Sequence, residues 1–395
     1  MARSPLILAA LAKAAKADLS LARTVELTSG NAGYFDAALI TDQAGENYVL
    51  RMPRNSRAYL DLQTELHALK ALRSVAGSLP FEFPRLLGST KDSDGVPAIL
   101  LSYVYGGEID IANLSGTDAF ATNLGAALAA LHSLPASVVE QAGLPIYTSS
   151  DVVKQKVALM DRAAATGLVP AALLQRWETA LEDVNLFRFT PTVVHGELTG
   201  GTVLEEQGQV GGVLGWNHLQ VGDPAEDFVW VVGYGLPDFS YAVLHAYSAS
   251  RAVDSNLQQR SQLYSELNYA QWLVSAVESK DEANTEIYAQ TLHNLNAHLE
   301  EAEALAMEPT PLAAETALAA GERMTSDDFL LAPAFADSPS ELPMPELESE
   351  ARDEGFLSGI ELGQVADESA PTRPMPVIQI PDEDPAPSRD KDELF

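Results

Sequence analysis

Thr192-Val193-Val194-His195-Gly196-Glu197-Leu198-Thr199-Gly200-Gly201-Thr202-Val203-Leu204 opens a stretch that runs to Gly222-Asp223-Pro224-Ala225-Glu226-Asp227-Phe228. Pro191 to Val194 is apolar and β-branched, and reads as a strand. His195, Gly196 and Glu197 break it with polar groups, and Thr202 to Leu204 resumes as a short strand. Gln207-Gly208-Gln209 turns the chain, and Val210 to Trp216 brings it back. Taken alone, this is a β-hairpin with polar turns. It also gathers polar side chains at strand ends, where sites are commonly built.

Around this stretch lie 395 residues, enough for two or more lobes of ordinary size. There is no cysteine, which excludes disulfides and thiolate metal sites and fits a cytoplasmic protein. The net charge of −32 disfavours nucleic acid and anionic membranes as partners. It favours solubility and cationic small molecules. No run reaches the ~18 apolar residues of a membrane span. Pro5 to Leu11 is apolar, but Lys13 and Lys16 interrupt it, so an amphipathic first helix is expected rather than a signal peptide.

The charge is uneven. Residues 308–395 carry 21 acidic and 5 basic side chains, a balance of −16, which is half of the total. The same segment holds 12 of the 23 prolines and little periodicity, so it reads as a disordered acidic tail. Apolar islands stand in it at Phe329-Leu330-Leu331, Phe356-Leu357 and Val377-Ile378-Gln379-Ile380, a pattern suited to docking on a protein partner.

Upstream, residues 1–18 read as a helix. Strands are expected at Thr24–Leu27, Ala37–Thr41, Asn47–Arg51, Pro84–Gly88 and Pro97–Val104, with a glycine-containing loop at Gly30 and Gly33. Leu60, Leu66, Leu69 and Leu72 recur on one broad face of a helix over 57–74 that contains Glu65. Downstream, helices are expected over 117–134, 151–164, 170–184, 226–235, 238–252, 256–279 and 282–306. Asp223 is placed as an N-cap with Pro224 at the first helical position.

The His195-Gly196-Glu197 loop, the Leu128-Ala129-Ala130-Leu131-His132-Ser133-Leu134 helix, the Tyr48-Val49-Leu50-Arg51-Met52-Pro53-Arg54 strand and the Gly222–Phe228 segment together resemble the aminoglycoside phosphotransferase family. The match is closest to its macrolide phosphotransferase branch and covers about residues 20–300. The resemblance implies an α+β, bilobal, protein-kinase-like fold. A small β-rich N-lobe (1–105) would precede a helical C-lobe (106–307) and the tail (308–395). It implies ATP and Mg²⁺ as candidate cofactors. Gly30 and Gly33 would cover the phosphates. Arg51 would stand where kinases place a phosphate-pairing Lys, with Glu65 as its partner, and Ser102 and Tyr103 would form the hinge beside the adenine. His195 and Asp227 would be structural, the latter tying the loop in place, and Asp223 would support the fold.

The family's chemistry does not carry over unchanged. Its loop reads His-Gly-Asp, then Asn five residues on, then an Ile-Asp-Trp-like strand. Here the catalytic base position is Glu197, the Asn position is Thr202, and the second metal-binding Asp is Gly215. Glu adds a methylene, moving the carboxylate by about 1.3–1.5 Å, and a shift of that size costs ~100-fold where geometry is strict. Thr offers a hydroxyl where a hard cation prefers a carbonyl. Gly offers no side chain at all. The expectation is therefore a phosphotransferase-like protein with impaired or lost kinase chemistry, a binding or regulatory pseudokinase. The alternative is an active small-molecule O-phosphotransferase using Glu197 as base, with Asp223 or Glu226 recruited to the metal.

Overall fold

A computed structural model describes residues 3–27 and 34–307. Gly30, Gly33 and the acidic tail lie outside the described residues. The described residues fall into two compact units, residues 3–27, 34–60 and 84–103 in one, and residues 61–83 with 104–307 in the other.

The first unit is an antiparallel sheet of β1 (Leu21–Glu26), β2 (Phe35–Asp42), β3 (Asn47–Pro53), β4 (Leu86–Lys91) and β5 (Pro97–Ser102), in the order β1-β2-β3-β5-β4. Period-2 alternation puts Ala38 and Ile40, Leu50 and Met52, and Ala98 and Leu100 on one face. Register aligns Ala38 with Leu50 and Leu50 with Leu100. Helix α1 (Pro5–Ala15) covers that face with Leu8, Leu11, Ala12 and Ala15. Two hairpins turn by the same device. Asp42 Oδ1 accepts from the backbone N–H groups of Ala44 and Glu46, and Asp92 Oδ1 from those of Asp94 and Val96. The buried Asp36 takes Arg3 and Arg54, both at 2.8 Å.

Most of α2 (Ser56–Arg73) clusters with the second unit. That unit is mainly helical: α3 (Ala119–His132), α4 (Ser137–Gln141), α5 (Ser149–Ala165), α6 (Ala171–Glu182), α7 (Val229–Tyr234), α8 (Pro237–Ser250), α9 (Leu257–Ser279) and α10 (Glu282–Met307). Two small ladders interrupt it. β6 (Thr192–Val194) pairs with β9 (Gln220–Gly222), and β7 (Val203–Glu206) pairs with β8 (Gln209–Val213). Gln207 and Gly208, at φ 53° and 78°, make the tight turn between β7 and β8. Helices α3 and α8 approach closely at Gly125, where a Cβ would stand 2.4 Å from the Val243 carbonyl oxygen.

The structure departs from sequence expectation at two places near the loop. The returning strand stops at Val213 rather than reaching Trp216. Gly215 is left-handed (φ 73°, ψ 45°) and starts a 3₁₀ turn over Trp216–His218. The segment after Asp223 begins as a 3₁₀ turn over Pro224–Phe228 and becomes α-helical only at Val229. Asp223 does cap it, its Oδ1 accepting from the Ala225 N–H at 2.9 Å.

Candidate active site

The loop after β6 hangs on Asp227, which is fully buried. Its Oδ2 accepts from the His195 backbone N–H at 2.8 Å and from His132 Nε2 at 3.0 Å, and its Oδ1 accepts from the Gly196 N–H at 2.8 Å. Burial alone would raise its pKa. The His132 bond, the neighbouring imidazoles and the Gly196 N–H outweigh that and hold it below the usual carboxylate range. Because a carboxylate only accepts, His132 carries a proton on Nε2, and its Nδ1 lies 2.8 Å from the Tyr247 hydroxyl.

His195 is equally buried. Its Nε2 donates to the Leu214 carbonyl at 2.7 Å, its Nδ1 accepts from the Glu197 N–H at 3.3 Å, and its ring lies 4.7 Å from that of Trp216. Burial lowers its pKa, against the opposing pull of Asp227, so it sits neutral with the proton on Nε2. Both ring nitrogens are therefore spent on backbone groups. Trp216 in turn packs on Phe81 and Phe83 and bonds the Val213 carbonyl.

Glu197 emerges from this scaffold, 45 % exposed, with Oε2 2.8 Å from His218 Nε2. Thr202 points the other way. It is fully buried, and its Oγ1 accepts from the Thr199 N–H at 2.8 Å while donating to the Thr199 carbonyl at 3.2 Å. The hydroxyl closes its own turn. Gly215 contributes only backbone.

The two carboxylates that could be recruited to a metal are engaged elsewhere. Asp223 is buried against the Arg260 guanidinium at 2.7 and 2.9 Å and the Tyr264 hydroxyl at 2.7 Å. Arg260 also binds Asp254 and the Leu186 carbonyl. Although burial opposes its charge, Asp254 and Asp223 hold its pKa above the ordinary arginine value. Glu226 binds Lys156 through Oε1 and Gln220 through Oε2. Among the described residues, no group of three or more His, Asp or Glu side chains is arranged to hold a metal ion. Gly215 offers no side chain and Asp223 and Glu226 are already paired, while Glu197 keeps a partly exposed carboxylate on the loop.

The nucleotide candidates fall in both units. Arg51 lies in β3, between Ala37 of β2 and Ile99 of β5, with its guanidinium 4.2 Å from the centre of the Phe35 ring. Glu65 lies on α2, buried, in the part that clusters with the second unit. At the end of β5 the Ser102 N–H donates to the Arg85 carbonyl, the Ser102 hydroxyl accepts from the Arg85 N–H, and the Tyr103 N–H donates to the Asn47 carbonyl. Arg260 is the largest contributor that sequence reading missed. It sits in the first turn of α9 among Gln and Ser, 37 residues from the Asp223 it neutralises, and no local signal marks it.

Comparison with known proteins bears on the family and the fold. Residues 29–262 match the sequence model of the phosphotransferase enzyme family, APH. The YcbJ protein of Bacillus subtilis (strain 168), itself uncharacterized, is 26 % identical over 207 residues, 49 % of this chain and 65 % of that protein. The chain thus spans slightly less than two thirds of that relative's length. Among solved structures, the macrolide 2′-phosphotransferase MphH from Brachybacterium faecium is 22 % identical with a TM-score of 0.60, over 72 % of this chain and 95 % of that one. A type I macrolide 2′-phosphotransferase is 23 % identical with a TM-score of 0.61, over 74 % and 98 %. The GDP and kanamycin complex of APH(2″)-IIIa gives 20 % and 0.61, over 73 % and 97 %. The last three show a shared kinase-like fold, and the family match, which spans more than half of the sequence, shows that the chain belongs to the APH phosphotransferase enzyme family.

Proposed function

We propose that this APH-family protein has lost its phosphoryl-transfer chemistry, or retains it only at a greatly reduced level, and acts as a binding or regulatory module. The observation that carries the reading is Gly215, a left-handed glycine where the family's metal-binding Asp is expected. The inward-turned Thr202 and the occupied Asp223 and Glu226 support it. Phosphoryl transfer depends on neutralising the charge of the phosphates, and these residues offer a cation little to hold. Nucleotide binding is expected to be weak and indifferent to Mg²⁺. The Ser102 and Tyr103 backbone N–H groups, already spent within the sheet, point the same way. Residues 308–395, with their charge of −16, would meet a protein partner. A cytoplasmic setting belongs to the same proposal, and no helix among the described residues is long and apolar enough to cross a membrane.

One observation favours the second reading, a working small-molecule O-phosphotransferase. Glu197 keeps a carboxylate, partly exposed, at the base position. The relatives named above include macrolide phosphotransferases and a kanamycin complex, so the substrate would be a hydroxyl on an antibiotic-like or sugar-like molecule. The test is transfer from ATP to a panel of such hydroxyl compounds, with and without Mg²⁺. No transfer above the uncatalysed background is expected. Mg²⁺-dependent transfer that Glu197→Gln abolishes would establish the enzyme instead.

A further inference from the structure

Glu197 and His218 stand on two segments that the backbone fixes against each other. Leu214 N–H donates to the Thr202 carbonyl at 2.8 Å, and His195 Nε2 reaches the Leu214 carbonyl from the loop side. Gly196 adopts φ 87°, and a Cβ there would stand 2.7 Å from the His218 carbonyl oxygen. The loop and the 3₁₀ turn therefore meet at a distance that only glycine permits, before any side chain is considered. Across that gap the Glu197 carboxylate and the His218 imidazole make a 2.8 Å contact, with 45 % and 40 % of the side chains exposed.

In the kinase template the loop carboxylate works beside a metal cation. Here the position that would supply the metal's ligand is Gly215, and three residues on the chain supplies an imidazole. The extra methylene of Glu gives the reach that the pairing uses. We infer that His218 is the positioning residue of Glu197: the imidazole takes from within the chain the cationic-partner role that a metal has in the kinase template. This deepens the pseudokinase reading and rests on it for the missing metal. The buried, neutral His195 lies within electrostatic reach of both, and the Gln220 amide, beside Gly196, bonds Glu226 at 2.8 Å. Glu226 is itself matched by Lys156 at 3.0 Å.

An exposed pair adds little to global stability, so the informative readout is spectroscopic. The full-length chain, labelled in its histidine side chains, is titrated by NMR, with His218 assigned by its loss in His218→Gln. The His218 midpoint in the wild type is expected to exceed that in Glu197→Gln by roughly half a pH unit or more, as a nearby carboxylate favours the imidazolium. Glu197→Asp, a methylene shorter, should behave like Glu197→Gln. Millimolar Mg²⁺ should leave the wild-type midpoint in place. Equal midpoints in wild type and Glu197→Gln would overturn the inference and leave the proposed function standing. Loss of the Glu197-dependent difference on adding Mg²⁺ would overturn both, because a metal would then be the preferred partner.

Discussion

Replacing Asp227 by Asn removes the charge on which the loop hangs while preserving shape. The carboxylate accepts three bonds, two at one oxygen and one at the other. An Asn carbonyl can replace Oδ2 and keep His195 N–H and His132 Nε2–H. Its NH₂ then faces the Gly196 N–H, donor against donor. One charge-assisted bond of about 1.5–3 kcal/mol is lost, and two others fall to about 1 kcal/mol each. The total is about 2.5–7 kcal/mol, which brackets the ~3–5 kcal/mol typical of breaking a buried charge pair. At about 2–4 °C per kcal/mol for a large domain, unfolding followed by circular dichroism at pH 7 should shift down by on the order of 10 °C. The sign of the pH dependence is fixed. The folded pKa of Asp227 is depressed, so its contribution is complete above the ordinary carboxylate range and disappears as pH falls through the folded value. The gap between wild type and Asp227→Asn should be full at pH 7 and should shrink below about pH 4. A gap under about 1 kcal/mol at pH 7, or one unchanged at pH 3, would refute the reasoning.

Other expectations follow from neighbouring contacts. Arg260→Met leaves Asp223 buried without its cation and should cost about 3–5 kcal/mol in chemical denaturation. Arg260→Lys should rescue little, because one ammonium cannot reproduce the fork to Asp223 and Asp254. Gly125→Ala would gain ~1 kcal/mol from helix propensity alone, but its Cβ meets the Val243 carbonyl at 2.4 Å, so denaturation should show a net loss. His195 is held neutral by burial. Wild-type stability should therefore decline as pH falls below the ordinary histidine value of about 6.5, by up to about 1.4 kcal/mol per unit, and this slope should be absent in His195→Gln.

Much of the architecture was legible because its signals are local. Alternation in Ala38–Ile40 and Leu50–Met52 marks the sheet, Gln207-Gly208 marks a tight turn, and Asp223-Pro224 marks a helical start. The family motifs locate the His195–Glu197 loop before any geometry is known. What escaped is set by distance or brevity. β9 is three residues long, and only its partner β6 makes it a strand. Trp216 extends an apolar run and reads as strand, yet a left-handed Gly215 turns it into the core against His195. Thr202 looks like a donor for a ligand until its hydroxyl is seen closing a turn on Thr199. His218 carries no meaning alone, and it acquires one only when the hairpin folds it onto Glu197.

The most direct test of lost metal-dependent chemistry is a thermal-shift titration of the full chain with ATP, with and without Mg²⁺. A ligand at 100 times its Kd that binds only the folded state stabilises it by ~2.7 kcal/mol, which such a titration resolves easily. No shift, or one of equal size in both conditions, is the expected result. A shift that requires Mg²⁺ would contradict the central claim and restore the chain to the working phosphotransferases.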